Sequence, residues 1–325
     1  MNILYLGQYR DVSVHGLHSE SILNDLNKIG QVTSKHILSQ YSRAYSNKTI
    51  FSDNKYQEEY DVLVQNLPIN SLCYTQKIKR NIAIPVLTSE LLSESDIDYL
   101  NLFDEVLVDD TFSKENIDMI LKKPSKNFNL NYQDIIKKVD QVLSFPSHNQ
   151  MKKFYTILDY DHNNEYVFDL VSEFIPASLN QENVCLIIYL INTNGAQVNQ
   201  IQRHISDMQK LFNIDKDNLT KIITAPMTCS YSDLCLAHKS CDIFLDLQDY
   251  PRNSLNNYIA SLYDNEIISL TTSNTKFTNV RDGVFSLNGH IVFDRSYLRH
   301  MVSQQIDQTE KNKIVFTNNR LDTII

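Results

Sequence analysis

The chain has 325 residues, 42% hydrophobic and 21% charged, with a net charge of −9. This is an ordinary globular mix, long enough for about two domains with real cores. The acidic balance argues against a general nucleic-acid coat, no apolar run reaches the ~18 residues of a membrane span, and the opening MNILYLGQYR lacks the basic start of a signal peptide.

The five cysteines form an odd set with no CxxC pair, which favours reduced thiols and a cytoplasmic setting. Abundant Asn, Ile, Lys and Tyr beside only six Gly suggest an AT-rich genome, viral or bacterial. The charge is uneven. Residues 111–153 carry eight Lys against four acidic residues, or +4, which leaves −13 for the rest. This basic stretch is read as a solvated helix and linker or, more sharply, as a rim for an anionic acceptor or phosphate.

Two series of strands and helices follow one another. Ile3-Leu4-Tyr5-Leu6 reads as a buried strand, residues 7–16 as a loop, and Ile22, Leu23, Leu26 and Ile29 as one face of a helix ended by Gly30. Residues 62–64, 82–84 and 106–108 are further short apolar strands; continuous runs of this kind fit strands covered on both faces. A helix is expected between the last two, and another opening at Ser113. The second series starts at residues 154–158. It continues with a helix from about Asn164, a strand over 184–190, a helix ending near Phe212 and a strand over 221–224. A helix near Ser232, a strand over 243–245, a helix from about Ser254 and a strand over 267–270 complete it. The alternation predicts an α/β chain of two facing, doubly wound, Rossmann-like domains with parallel sheets. Pro146-Ser147-His148 breaks the pattern, so the expected domains are 1–148 and 149–325, with the last helix packing back on the first.

Ligands of such sheets sit beyond the C-terminal strand ends. The candidate segments are therefore 7–16, 65–68, 88–90 and 109–110 in the first series, and 159–163, 225–231 and 247–254 in the second. Gly16 precedes a helix N-terminus, a place that accepts anions. His15, His18 and Glu20, like Cys229, Cys235, His238 and Cys241, lack the spacing of a metal site. Asp159-Tyr160-Asp161 matches the short D-x-D pattern of metal-dependent transferases, in which two carboxylates hold a divalent ion on a diphosphate.

Residues 88–117, TSELLSESDIDYLNLFDEVLVDDTFSKENI, and the stretch from Cys241-Asp242-Ile243-Phe244-Leu245 to Ile259-Ala260 resemble the retaining glycosyltransferases of the GT-B fold, family-4 type. The resemblance implies transfer of a sugar from a nucleotide sugar, with no cofactor and no bound metal required. It places the acceptor against the N-terminal domain and the donor mostly in the C-terminal one. It implies Glu90, Asp109 and Asp249 as catalytic-site residues. Gly16, Asp161, Tyr231, Arg252, Asn253 and Ser254 are implied on the donor side, with Tyr231 stacking on the base and Ser230 or Ser232 capping a helix.

Two departures stand out. The family's donor-site glutamates fall on Pro251 and Ile259, and Asp249 takes over the first only after a small loop shift. The expected phosphate loop, LDYDHNNEY, has neither Arg nor Lys. The acceptor is a glycan or another hydroxyl compound, or modified DNA if the chain is viral, although the net charge does not favour DNA. A non-catalytic GT-B-like subunit, bound to a partner enzyme or glycan in a homo- or hetero-oligomer, is the alternative.

Overall fold

The computed structural model describes residues 1–38, 59–86, 92–108, 121–123, 125–128, 130, 132, 136–145, 150–178, 183–214, 221–247, 254–270, 280–287 and 290–293. Strand β1 (Asn2–Gly7) runs through Ser13 into helix α1 (Val14–Ile29) and then β2 (Gln31–His36). Next come β3 (Val62–Pro68), a 3₁₀ turn at Ile69–Ser71, β4 (Arg80–Val86), α2 (Glu94–Leu100), β5 (Glu105–Val108) and β6 (Lys126–Asn127). These strands form one parallel sheet in the order β2-β1-β3-β4-β5-β6.

The second unit comprises β7 (Lys152–Asp159), α3 (Tyr160–Ala177), β8 (Val184–Ile191), α4 (Gly195–Leu211) and β9 (Lys221–Pro226). It continues with α5 (Tyr231–Lys239), β10 (Ile243–Asp246), α6 (Ser254–Leu262) and β11 (Glu266–Leu270), then β12 (Val280–Leu287) and β13 (His290–Phe293). Its sheet runs β13-β12-β11-β10-β7-β8-β9, parallel throughout except for the β12–β13 pair.

Three helices show their local cause at the ends. Ser13 accepts from the Gly16 N–H, and the Gly30 N–H closes α1 on Leu26. Ser93 and Asp96 form a reciprocal capping box on α2, as do Asn194 and Gln197 on α4. The eight residues of β8 are all buried, as expected for a strand covered on both faces.

The second sheet has two distinct faces. Phe154, Leu158, Ile243 and Leu245 pack with Val167, Leu170 and Phe174 of α3 and Ile201 of α4. Tyr155, Ile157 and Phe244 point the other way, against Leu234 of α5 and Leu255 and Ile259 of α6. That second cluster continues without a break into Leu17, Leu23, Ile3 and Tyr5 of the first unit. Helix α1 is therefore shared, covering its own sheet and meeting the other unit.

Residues 136–145 run along α5 and α6. The Val139 N–H donates to the Tyr263 hydroxyl (2.9 Å), Lys239 Nζ to the Val139 carbonyl (2.7 Å), and the Leu143 N–H to Ser240 Oγ (2.7 Å).

Three expectations are corrected. Helix α3 starts at Tyr160, not near Asn164, so residues 159–163 form no loop. The stretch holds no Gly or Pro to interrupt a helix, and acidic residues at its start suit the positive helix end. Residues 65–68 belong to β3, where Gln65 is fully buried and bonded to the Cys73 backbone through both side-chain heteroatoms (2.7 and 2.9 Å). Strand β9 extends to Pro226, so Ala225 is also a strand residue.

Candidate functional site

The strand order of the second sheet reverses between β7 and β10, because the chain first winds outward through β8 and β9 and then returns. Crevices at such points are where doubly wound sheets hold ligands. Each of the two strands ends in a buried aspartate. Asp159 is 7% exposed and Asp246 is 6% exposed. Asn192 Nδ2 donates to Asp159 (3.0 Å) and Asn257 Nδ2 donates to Asp246 (2.8 Å). Asn192 reaches its position with φ of 57°, a left-handed conformation that Asn tolerates better than most residues.

Strand β7 passes directly into α3, with Asp159 as the last strand residue. A carboxylate thus stands where a phosphate loop was expected. Ile259 is fully buried in the core, so the residue at the matched ribose-glutamate position is a packing residue here.

At the C-terminal end of β9 the chain turns through residues 227–230 into α5. Ser230, and not Ser232, caps this helix. It accepts from the Asp233 N–H and donates to the Asp233 carboxylate (2.6 Å), which also receives Thr228 Oγ1 (2.6 Å). Tyr231 begins the helix. Its hydroxyl donates to the Leu17 carbonyl (2.6 Å) and lies 2.9 Å from Ser21 Oγ, so it joins α5 to α1. Burial raises the Tyr231 pKa and keeps the phenol neutral.

In the first sheet the order reverses between β1 and β3. The loop after β1 is pinned to the end of β2. His36 Nδ1 accepts from the Arg10 N–H (3.3 Å), His36 Nε2 faces the Asp11 carboxylate (3.3 Å), and the Tyr9 ring meets the imidazole edge-on. Gly16 lies inside the first turn of α1 and not ahead of the helix as expected, because Ser13 caps the helix three residues earlier; a Cβ there would lie 2.0 Å from the Asp11 carbonyl oxygen, so the loop requires glycine at this place. His18 Nδ1 bonds the Tyr132 hydroxyl (3.0 Å), and the Tyr132 ring packs on Tyr258 of α6 at 5.0 Å.

Behind the second crevice lies a buried polar chain. Asn265 Nδ2 donates to the Tyr155 hydroxyl (2.6 Å), which is 2.5 Å from His238 Nδ1, and His238 Nε2 faces Asn256 Oδ1 (3.3 Å). The amide oxygen can only accept, so Nε2 carries the proton and Nδ1 accepts from the tyrosine. Burial lowers the His238 pKa to about 3, against a smaller opposing contribution from Asn256, and the ring is neutral. Cys241 is buried with Tyr189 Oη at 3.6 Å, and burial pushes its thiol up to about 12. Among the described residues, no group of three or more His, Cys, Asp or Glu is arranged to hold a metal ion.

Of the residues singled out in the sequence, Tyr231 stands at the contact between the units, and Gly16 packs against Asp11 within the first unit. Asp161 is the second residue of α3 and Ser254 the first of α6, and their side chains lie outside what is described. Glu90, Asp109, Asp249, Arg252 and Asn253 lie outside the described residues, as does the helix expected at Ser113. Asp246 and Asn192 were not singled out, the strand-end segment having begun at Leu247, whereas Asn257 was noted with Asn253 and Ser254 as a further hydrogen-bonding residue.

No family model and no curated protein matches the chain. Solved structures do resemble it. HepE of Anabaena, in complex with UDP-glucose, superposes with a TM-score of 0.53 at 11% identity, over 96% of this chain and 91% of that one. MnaA of S. aureus, in complex with UDP, gives 0.56 at 9%, over 99% and 94%. The lipopolysaccharide outer core galactosyltransferase WaaB gives 0.54 at 13%, over 93% and 89%. The likeness lies in the fold, and that fold, two facing parallel α/β sheets, is the GT-B architecture of glycosyltransferases.

Proposed function

We propose that this chain transfers a sugar from a nucleotide diphosphate sugar, UDP-linked in the first instance, to a hydroxyl acceptor. The observation that carries the reading is the GT-B architecture matched along nearly the whole chain, with a polar, buried strand edge at the β7/β10 reversal. The UDP-glucose held by HepE and the UDP held by MnaA support the donor class.

In this reading residues 1–148 serve the acceptor and 149–325 the donor. Transfer proceeds with retention and without an essential metal. Closure excludes water, and helix N-termini assist departure of the diphosphate. Glu90, Asp109 and Asp249 serve the reacting centre. Gly16, Asp161, Tyr231, Arg252, Asn253 and Ser254 serve the donor. The acceptor is a glycan or other hydroxyl compound, and the setting is cytoplasmic.

A thermal-shift series tests this with UDP, GDP, ADP, CMP and their sugars, in EDTA and in Mn²⁺. A ligand at a hundred times its dissociation constant adds about 2.7 kcal/mol of stability. A selective rise in EDTA supports the reading. A rise only with Mn²⁺ moves the chemistry to a metal held by Asp159 and Asp161.

A second reading, a non-catalytic subunit of the same fold, is favoured by the packing of Ile259 into the core and by the carboxylate at the β7–α3 junction. It requires that no nucleotide sugar binds and that a partner protein or glycan does.

A further inference from the structure

Two α/β units on one chain ordinarily move against each other, because the segment joining them is exposed and few contacts cross it. Here the joining segment is built into the core. It leaves the first sheet at Phe128, whose N–H donates to the Val108 carbonyl (3.0 Å). Phe128, Leu130, Tyr132 and Ile136 are each at most 6% exposed, and all four belong to the buried cluster that the units share. By Val139 and Leu143 the chain is already fastened to the second unit, through Tyr263, Lys239 and Ser240. Pro146-Ser147-His148, the expected break, follows this docking in the chain and so does not separate the units. A hinge needs a few residues free to absorb large changes of φ and ψ, and the described residues between Phe128 and Ile136 are buried.

Helix α5 adds a second observation, because it is fastened at both ends. At its first residue the Tyr231 hydroxyl donates to the Leu17 carbonyl of α1 (2.6 Å) and lies 2.9 Å from Ser21 Oγ. At its other end Lys239 Nζ donates to the Val139 carbonyl, and Ser240 Oγ accepts from the Leu143 N–H. The helix has nine residues, so the two fastenings lie about 13 Å apart. Between them Tyr132 is wedged, its hydroxyl 3.0 Å from His18 Nδ1 of α1 and its ring 5.0 Å from that of Tyr258 on α6. A rotation about either end of α5 would part the fastening at the other. It would also open a single apolar cluster that holds Ile3, Leu17 and Leu23 together with Tyr155, Leu255 and Ile259.

We infer that the two units form one body, so that the crevice between the sheets keeps a fixed width and a ligand enters it without a swing of one unit on the other. Closure in the reading above is then a movement smaller than a unit. The inference rests on these contacts and holds whatever the ligand is.

The test is a distance measured across the units. Of the cysteines only Cys73, in the first unit, is exposed. Leu211, in the second unit, is 70% exposed and tolerates a probe. Spin labels are attached to Cys73 and to the new thiol of Leu211→Cys, and double electron–electron resonance is recorded on the full chain, free and with an excess of UDP or UDP-glucose. The free chain is expected to give one narrow distribution, and either compound to move its peak by less than about 2 Å. A broad or two-peaked distribution in the free chain, or a larger shift with either compound, would overturn the inference. In the same labelled chain Tyr132→Ala combined with Tyr231→Phe removes the wedge and one fastening, and the distribution is expected to broaden. An unchanged width in that folded variant would show that these residues do not hold the units together, and would overturn their part in it.

Discussion

The Tyr231 hydroxyl, at the first residue of α5, is bonded to the Leu17 carbonyl of α1 at 2.6 Å. One residue of the second unit thereby bonds a backbone group in the first turn of a first-unit helix, and Ser21 Oγ shares that acceptor, at 3.0 Å from Leu17 O and 2.9 Å from the phenol. Polar residues of α1 are buried from both units: Ser21 is covered by Tyr231, and Ser19 by Tyr5, whose hydroxyl lies 2.6 Å from Ser19 Oγ.

Tyr231→Phe removes the hydroxyl and keeps the ring. Leu17 retains Ser21 as a donor, so the expected cost is about 1 kcal/mol. The double variant with Ser21→Ala should be non-additive, because the two groups share one acceptor. Urea unfolding measures the cycle, and strict additivity would show that the two hydroxyls act independently.

Gly16→Ala tests the loop after β1. The added Cβ would lie 2.0 Å from the Asp11 carbonyl oxygen, which is backbone and cannot rotate away. Either the loop or the first turn of α1 must shift, at a cost of about 1–3 kcal/mol. A melting temperature unchanged from wild type would mean that the loop gives way freely, and that the His36 contacts to Arg10 and Asp11 do not hold it.

The buried His238 sets a pH dependence. Its folded pKa is about 3, depressed by burial, against about 6.5 for an unperturbed histidine. The unfolded chain therefore takes up the proton first as pH falls. The contribution is whole above about pH 6.5 and declines between there and pH 3, by about 1.4 kcal/mol per pH unit. His238→Gln removes this titration. Stability measured by urea between pH 6 and pH 4.5 should fall less steeply for the variant by about that slope, and parallel curves would contradict a neutral buried ring.

Much of the fold was legible because its strands are covered on both faces. The apolar runs of β1, β3, β4, β7 and β8 need no partner to be recognised. Strand β2 was not legible: its sequence QVTSKH is polar, and it becomes a strand through parallel pairing with β1 at the sheet edge. The β12–β13 pair closes the opposite edge of the other sheet and was missed as well. The site was less legible. Gln65 looked like a cleft residue because it follows an apolar run, yet its side chain is consumed by the Cys73 backbone. The expected loop at 159–163 came from starting the helix near Asn164, where its apolar face begins, whereas the helix already begins at Tyr160. Asp246 and Asn257 are eleven positions apart on a strand and a helix, and no periodicity connects them. The stacking role expected of Tyr231 came without the Leu17 contact, which only the packing of the two units reveals.

The central claim is glycosyl transfer, and its most direct measurement is turnover. UDP-, GDP- and ADP-linked hexoses are incubated in EDTA with the full chain and a mixture of glycan acceptors, and nucleotide release and the new anomeric signal are followed by proton NMR. The account expects release of one nucleotide with a new linkage of the donor's own anomeric configuration. Recovery of every donor intact, with stable binding of a partner protein or glycan in its place, would contradict it.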